Sequence, residues 1–152
     1  MYPKCIFHLI DVQEGVSDWP VPQMMIQTII ENEYKYAVSL DEVLSILIKI
    51  SGAEYKGEDM LLITIEDDGK GYPAEVLDII NGVYEGADPA GQRVGLWSIR
   101  RTMALMYDRD DLVLFSNIKP HGCLNTIYVP AHPMREYSGQ GPEEAHWGTK
   151  AK

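Results

Sequence analysis

The sequence has little positive charge, few cysteines and no long apolar run. Its 152 residues include 13 Lys and Arg against 23 Asp and Glu, a formal net charge of −10. This balance argues against nonspecific binding to nucleic acid or to an anionic membrane, because the charge that would neutralise phosphates is missing. The two cysteines, Cys5 and Cys123, lack metal-site spacing, so free thiols in a reducing compartment are the simplest interpretation. No apolar run reaches the length of a membrane span, and no signal peptide is visible.

The hydrophobic pattern indicates one domain of mixed strands and helices. Hydrophobic content of 45% and charged content of 24% are ordinary for a globular protein. We expect an ordered domain over residues 4–131 and, because the sequence then becomes polar and rich in Gly and Pro, a disordered tail over 132–152. The pattern predicts, in order, a strand over 4–12, a helix over 23–38, strands over 44–51 and 60–67 joined by a turn over 52–59, helices over 73–84 and 94–107, and strands over 112–118 and 124–129.

The segment 66–71 (Glu-Asp-Asp-Gly-Lys-Gly) follows the apolar strand at 60–65. Asp67 shares the parity of Ile63 and Ile65 along that strand, so its side chain should point to the same apolar interior. A carboxylate in such surroundings needs a hydrogen-bonding partner, and a ligand amino group is one candidate. The alternative is a plain Asp-Gly turn between strands.

Two further segments place polar groups on predicted helices. Asn32 lies inside a helix, where asparagine is mildly unfavourable, and its carbonyl oxygen suits magnesium. Alternatively, Asn32 faces solvent beside an ordinary i,i+4 pair of Glu31 and Lys35. The segment 91–96 (Gly-Gln-Arg-Val-Gly-Leu) opens a helix whose free amides and macrodipole can bind phosphate, although such a loop is more often only a flexible connection.

The order of these segments resembles the ATP-binding domain of sensor histidine kinases, within the GHKL ATPase superfamily. Residues 31–36 look like the N box, 67–71 like the G1 box and 91–96 like the G2 box. The resemblance covers residues 4–131 and implies an α/β two-layer sandwich, with a mixed sheet covered on one face by helices in the Bergerat-type ATP-binding fold. The subfamily typified by the YesM and LytS sensor kinases is similar in the wording at 22–27 (Pro-Gln-Met-Met-Ile-Gln), 95–101 (Gly-Leu-Trp-Ser-Ile-Arg-Arg), 105–107 (Leu-Met-Tyr) and 122–130.

The resemblance implies a role for each candidate residue. Asp67 would accept a hydrogen bond from the adenine amino group of ATP, and Gly69 and Gly71 would leave room for the base. Asn32 would hold Mg²⁺ bridging the phosphates, and Glu31 would polarise the attacking group near that metal. The remaining contacts with the phosphates and the lid would come from Lys35, Tyr36, Gly91, Arg93, Val94, Gly95 and Leu96.

The function implied by the resemblance is that of a two-component sensor histidine kinase, which uses Mg–ATP to phosphorylate a histidine. None of the four histidines is placed as a phosphoacceptor. We therefore expect an isolated catalytic domain whose partners are the dimerisation helices that carry that histidine, and a response regulator. The implied location is cytoplasmic, as part of a membrane-bound receptor, without direct membrane contact.

Two departures from the family pattern leave turnover open. Arg93 stands where a second glycine of the G2 box is usual, and arginine cannot freely adopt positive φ, although its guanidinium could bind phosphate. Cys123 stands where threonine is usual, and a thiol is a poor donor. The alternatives are a nucleotide-binding regulatory module with weakened catalysis, or another GHKL member such as an anti-sigma serine kinase or an ATPase chaperone.

Overall fold

A computed structural model describes residues 5–22, 25–37, 43–82 and 94–132. The predicted tail beyond residue 132 lies outside the described residues. In the described ranges no helix is both long enough and apolar enough to cross a membrane. The elements follow one another as β1 (Cys5–Val12), α1 (Met25–Asn32), a π-helical turn (Glu33–Ala37), β2 (Val43–Tyr55), β3 (Glu58–Asp67), α2 (Ala74–Ile80), α3 (Val94–Tyr107), β4 (Val113–Asn117) and β5 (Cys123–Pro130).

The strands form one mixed five-stranded sheet in the order β1-β2-β3-β5-β4. β1 is parallel to β2, and the other neighbouring pairs are antiparallel. β3 is therefore the central strand, with β2 on one side and β5 on the other. At its end Asp67 is paired with Ile46 of β2 and with Cys123 of β5, so its carboxylate lies near the middle of the sheet.

The core lies between one face of the sheet and the helices. Ile63, Ile65 and Asp67 are all buried on this face, which confirms the inward direction predicted from strand parity. Each fully buried aliphatic side chain contributes roughly 1.5–3 kcal/mol relative to exposure, so the helices are held mainly by apolar contact. The residues that α3 places in the core lie at helical spacing along one face: Leu96, Ile99, Met103, Met106 and Tyr107.

The predicted turn over residues 52–59 is wrong. β2 continues to Tyr55 and β3 begins at Glu58, so the turn is only Lys56 and Gly57, both at positive φ (51° and 80°). Two-residue hairpin loops with positive φ at both residues are favoured because their backbone twist matches the right-handed twist of the flanking strands. Gly52 weakens the strand pattern locally, while stacking of the Tyr55 ring on Tyr128, with centroids 3.9 Å apart, stabilises the extension.

α2 is shorter than the helix predicted over 73–84. It ends at Ile80, and residues 83–84 lie outside the described ranges. The Asn81 side chain donates to the Phe115 carbonyl oxygen at 2.7 Å and accepts from the Phe115 amide at 2.9 Å. Gly82 follows with φ of 71°. The helix therefore stops where a side chain ties it to β4 and a glycine turns the chain away.

An ion-pair network joins the β2–β3 hairpin to the segment before β4. Arg109 donates through Nε to Asp111 Oδ1 at 2.6 Å and through Nη2 to Asp111 Oδ2 at 2.8 Å. Lys56 Nζ lies 2.6 Å from Asp111 Oδ2, and Arg109 Nη1 lies 3.0 Å from Glu58 Oε2. The hydrogen bond from Arg109, reinforced by Lys56, holds the pKa of the Asp111 carboxyl well below its usual range.

We expect Asp111→Asn to destabilise the fold in a pH-dependent way. Because folding lowers the pKa of Asp111, its contribution is complete above the unfolded-state pKa of about 3.9 and is lost as the pH falls toward the folded-state pKa. At pH 7 the variant should lose roughly 1 kcal/mol of unfolding free energy, since the network is solvated at the surface and screened. Urea unfolding should show this difference shrinking between about pH 4 and about pH 2.

The matched control is Asp110→Asn, because Asp110 is exposed and forms no ion pair within the described ranges. It should leave the unfolding free energy unchanged to within about 0.5 kcal/mol. A loss for Asp111→Asn that is equal at pH 7 and at low pH would contradict the assignment of the pKa shift to this network.

Candidate functional site

Asp67 is a buried carboxylate. One of its oxygens accepts a hydrogen bond, and the other, which we call the open oxygen, has no hydrogen-bond partner among the described residues. Asp67 ends β3 and is only 2% exposed. Its Oδ1 accepts the backbone N–H of Gly69 at 2.8 Å. Its Oδ2 is buried and has no hydrogen-bond partner among the described residues. Leaving a buried charged acceptor without a donor is costly, so this atom marks a place where a ligand donor would stabilise the protein.

Two glycines allow the backbone to pack tightly around this strand end. Gly71 has φ of 82° and Gly122 has φ of 124°, values that residues with a Cβ rarely adopt. A Cβ on Gly122 would collide with the carbonyl group of Asp67, and one on Gly71 would lie 2.9 Å from Asn117 Oδ1. The chain after Asp67 is therefore pressed against the β4–β5 turn.

Side chains of that turn hold the loop in place. Asn117 Oδ1 accepts the Tyr72 amide at 2.7 Å, and Asn117 Nδ2 donates to the Tyr72 carbonyl oxygen at 2.9 Å. The His121 ring nitrogen Nδ1 lies 3.1 Å from the Gly69 carbonyl oxygen. These bonds restrain the loop after Asp67 at Gly69 and at Tyr72.

The second group of candidate residues lies at the end of α1. Asn32 is the last residue of the helix and is half-buried, whereas Glu31 is exposed and accepts a hydrogen bond from Gln27 Nε2 at 3.1 Å. Lys35 is exposed one turn later, within the π-helical turn. Tyr36 lies in the same turn, but its side chain is outside the described part of the structure.

A buried polar chain connects this helix end to the strand beside Asp67. Asn125 Nδ2 donates to Glu33 Oε1 at 3.3 Å, and the Tyr72 hydroxyl donates to Asn125 Oδ1 at 2.6 Å. Asn125 lies on β5 two residues beyond Cys123, the cross-strand partner of Asp67. We refer to Tyr72, Asn125 and Glu33 as the polar chain.

Sequence reasoning missed all three members of the polar chain. One signal was present on β5, where Asn125 interrupts the otherwise apolar face formed with Ile127 and Val129. Another was present on the helix, where Glu33 follows buried Ile29 by four residues and so shares its face. A polar residue at a core position of either period is a cue that it has a buried partner.

The N-terminal end of α3 packs closely on α1. A Cβ on Gly95 would lie 2.9 Å from Thr28 Cγ2, and Thr28 is one turn before Asn32. Leu96 is fully buried in the core. Of the other predicted residues in this segment, Val94 begins α3 with a side chain outside the description, and Gly91 and Arg93 lie outside the described residues.

The described residues do not form a metal centre by themselves. Across the described ranges, no cluster of three or more His, Cys, Asp or Glu side chains could hold a metal ion. The ligand predicted from the sequence is the amide oxygen of Asn32, while the neighbouring Glu31 carboxylate accepts a hydrogen bond from Gln27. Magnesium keeps several waters and is commonly bound through one or two protein oxygens together with substrate phosphates, so a single amide oxygen is compatible with that ion only when a polyphosphate supplies further ligands.

A groove of about 620 Å³ also borders this strand end. Its walls include Phe7, Leu9, Leu47 and Glu66, which by strand register project from the face opposite the helices. The open oxygen of Asp67 is directed toward the helix-covered face, since Asp67 shares that face with Ile65. Asp67 itself and Ile46 also belong to the walls of this groove, so the groove reaches the strand end that carries the carboxylate.

No protein-family model matches the chain, and no curated protein matches it. Solved structures do match its fold. The catalytic domain of histidine kinase ThkA superposes with a TM-score of 0.56 at 17% identity, covering 84% of this chain and 81% of that one. The mycobacterial sensor histidine kinase MprB gives 0.55 at 16% identity, with 85% and 84% covered. The blue-light-activated histidine kinase of Erythrobacter litoralis gives 0.51 at 17% identity, with 83% of this chain and 35% of that chain covered.

These matches establish the fold. The mixed sheet with helices on one face is the architecture of histidine kinase ATP-binding domains, as the sequence resemblance implied. At such low identity the likeness carries no residue-level assignment, so the roles of the candidate residues rest on the geometry described above. The likeness also leaves the subfamily open.

We expect Gly122→Ala to be much more damaging than Gly57→Ala. Both glycines have positive φ, but a Cβ on Gly57 would meet no atom within 4 Å, whereas one on Gly122 would collide with Asp67. Gly57→Ala should cost about 1 kcal/mol of unfolding free energy from backbone strain, and Gly122→Ala at least about 1 kcal/mol more. Urea unfolding of both variants measures the difference. Equal losses would show that the β4–β5 turn does not press on Asp67.

Proposed function

We propose that this chain is the ATP-binding catalytic domain of a two-component sensor histidine kinase. The observation that carries the proposal is the open, buried Oδ2 of Asp67 at the end of the central strand. In a fold shared with histidine kinase catalytic domains, such an atom suits the exocyclic amino group of adenine. That group supplies an N–H donor, which would satisfy the buried acceptor that has no partner among the described residues.

The remaining candidate residues divide between the base and the phosphates. Gly69 and Gly71 lie next to the carboxylate and would leave room for the base. Asn32 would hold magnesium, which supplies charge neutralisation on the polyphosphate, and Glu31 would polarise the attacking group near that metal. Contacts with the phosphates and the closing segment would come from Lys35, Tyr36, Gly91, Arg93, Val94, Gly95 and Leu96.

The division is supported by the chemistry that phosphoryl transfer requires. Such a site has little covalent chemistry to perform, and its task is to position the nucleotide and to balance its charge. The protein has a net charge of −10, so a bound metal is a reasonable means of offsetting the charge of a triphosphate. Lys35 adds one local positive charge on the exposed side of the π-helical turn.

The partners follow from the proposed activity. The acceptor would be a histidine on the dimerisation helices of the parent kinase, within the YesM and LytS type of sensor, and the phosphoryl group would pass to a response regulator. The domain would work in the cytoplasm. Since transfer needs those helices, nucleotide binding is the direct test for this chain alone.

We expect Asp67→Asn to weaken Mg–ATP binding between about tenfold and hundredfold, the range for losing a hydrogen bond to a charged group. In the variant the amide oxygen must accept from Gly69, so the amide nitrogen faces the adenine amino group as donor against donor. Titration calorimetry with ATP and with GTP should show the preference for ATP disappearing.

Asp68→Asn is the matched control, because it changes the adjacent aspartate. Asp68 is exposed, and its Oδ1 accepts the Ser45 amide at 2.8 Å, a bond that asparagine preserves. Its ATP affinity should stay within about twofold of the wild type. Unchanged ATP affinity in Asp67→Asn would contradict the adenine assignment.

A further inference from the structure

We infer that the polar chain of Tyr72, Asn125 and Glu33 is a positioning device that fixes the magnesium side of the site relative to its base side. The inference rests on the proposed function and deepens it. It assigns a task to three buried residues that touch neither the base nor the phosphates in that proposal. They would act through Asn32 at one end and through the Gly69–Gly71 loop at the other.

Burial makes the polar chain an arrangement that requires a reason. Glu33 is 1% exposed and Asn125 is fully buried. On the sheet Asn125 is flanked by Ile65 and Phe115, so an apolar residue would fit the same position. Buried polar groups commonly contribute no more stability than apolar replacements of similar volume. Their distinctive effect is directional, because each hydrogen bond favours one arrangement of its partners and disfavours shifted ones.

At the helix end, the polar chain sets the orientation of Asn32. Glu33 is the residue directly after Asn32 and the first residue of the π-helical turn. With its carboxylate held against Asn125 on the sheet, the side chain one position earlier must leave the helix in a different direction. The change from α-helical to π-helical geometry after Asn32 alters the direction in which successive side chains leave the helix. The hydrogen bond to Asn125 would therefore decide where the Asn32 amide points.

At the loop end, the polar chain fixes the position of the segment after Asp67 relative to the sheet. Tyr72 directly follows Gly71, and its hydroxyl donates to Asn125 while its backbone is held on both sides by Asn117. Moving Asn125 would therefore move a residue joined to the glycine loop. Because the same asparagine contacts Glu33, a displacement at either end is passed to the other.

The test separates magnesium-dependent binding from binding of the nucleotide alone. ATP affinity is measured by calorimetry with excess magnesium and with excess chelator, and the ratio of the two affinities is the readout. The variant Asn32→Ala gives the affinity ratio that is expected when magnesium no longer contributes to ATP binding. Glu33→Ala should lower the ratio about tenfold, the lower end of the effect of removing a residue that orients a metal ligand. Tyr72→Phe should lower it about threefold, since it removes one hydrogen bond.

Three comparisons distinguish positioning from general destabilisation. Glu33→Gln keeps an oxygen acceptor for Asn125 and should retain a ratio within about twofold of the wild type. Asn81→Ala removes a comparable asparagine that bridges α2 and β4 through Phe115, outside the proposed site. It should lower the melting temperature and leave the ratio unchanged. The double variant Glu33→Ala with Tyr72→Phe should be no worse than Glu33→Ala alone, because both act through one path.

The outcomes separate this inference from the proposed function. If the wild type binds Mg–ATP and both Glu33→Ala and Tyr72→Phe keep its ratio, the inference is overturned and the proposed function stands. Additive effects in the double variant would overturn it as well. If Glu33→Ala does not fold, the ratio for Tyr72→Phe decides. If the wild type binds no nucleotide, the proposed function and the inference both fail.

Discussion

The burial of the Asp67 carboxylate is the constraint on which the rest of the site depends. A charged group at the end of a central strand is tolerable only if its oxygens are hydrogen-bonded. One oxygen is satisfied by the Gly69 amide, which bends the chain sharply after β3. That bend requires the close approach of Gly122 and the bracing of Tyr72 by Asn117. The other oxygen has no donor among the described residues, and this is the atom to which we assign the adenine amino group.

The polar chain extends this constraint from the sheet to the helices. Most of the contact between the sheet and the helices is apolar. Apolar contacts are non-directional, so they do not fix the orientation of one layer's side chains relative to the other. The hydrogen bonds through Asn125 do fix direction, and they join the π-helical turn to the loop after Asp67. Rigid positioning of this kind is what phosphoryl transfer demands from a protein. The ion-pair network around Asp111 lies at the hairpin end of the sheet and stabilises the scaffold without entering the site.

Strand and helix periodicity was sufficient to predict much of this fold. The parity of Ile63 and Ile65 predicted that Asp67 points inward, and the pattern in residues 94–107 predicted the whole of α3. The hairpin was mispredicted because Gly52 weakened the local pattern that cross-strand tyrosines restore. The polar chain could not be predicted, since Glu33 and Asn125 are 92 residues apart and no local pattern pairs them. Expectations for Gly91 and Arg93 fall outside the described residues and stay predictions.

The central claim is that the open oxygen of Asp67 receives the amino group of adenine. The most direct measurement is a crystal structure of the wild-type chain with magnesium and a non-hydrolysable ATP analogue. The account predicts the adenine exocyclic nitrogen at about 2.9 Å from Asp67 Oδ2, a normal N–H···O hydrogen bond, with the Asn32 amide oxygen facing the metal. A nucleotide bound elsewhere, with Asp67 Oδ2 receiving no donor from it, would contradict the account.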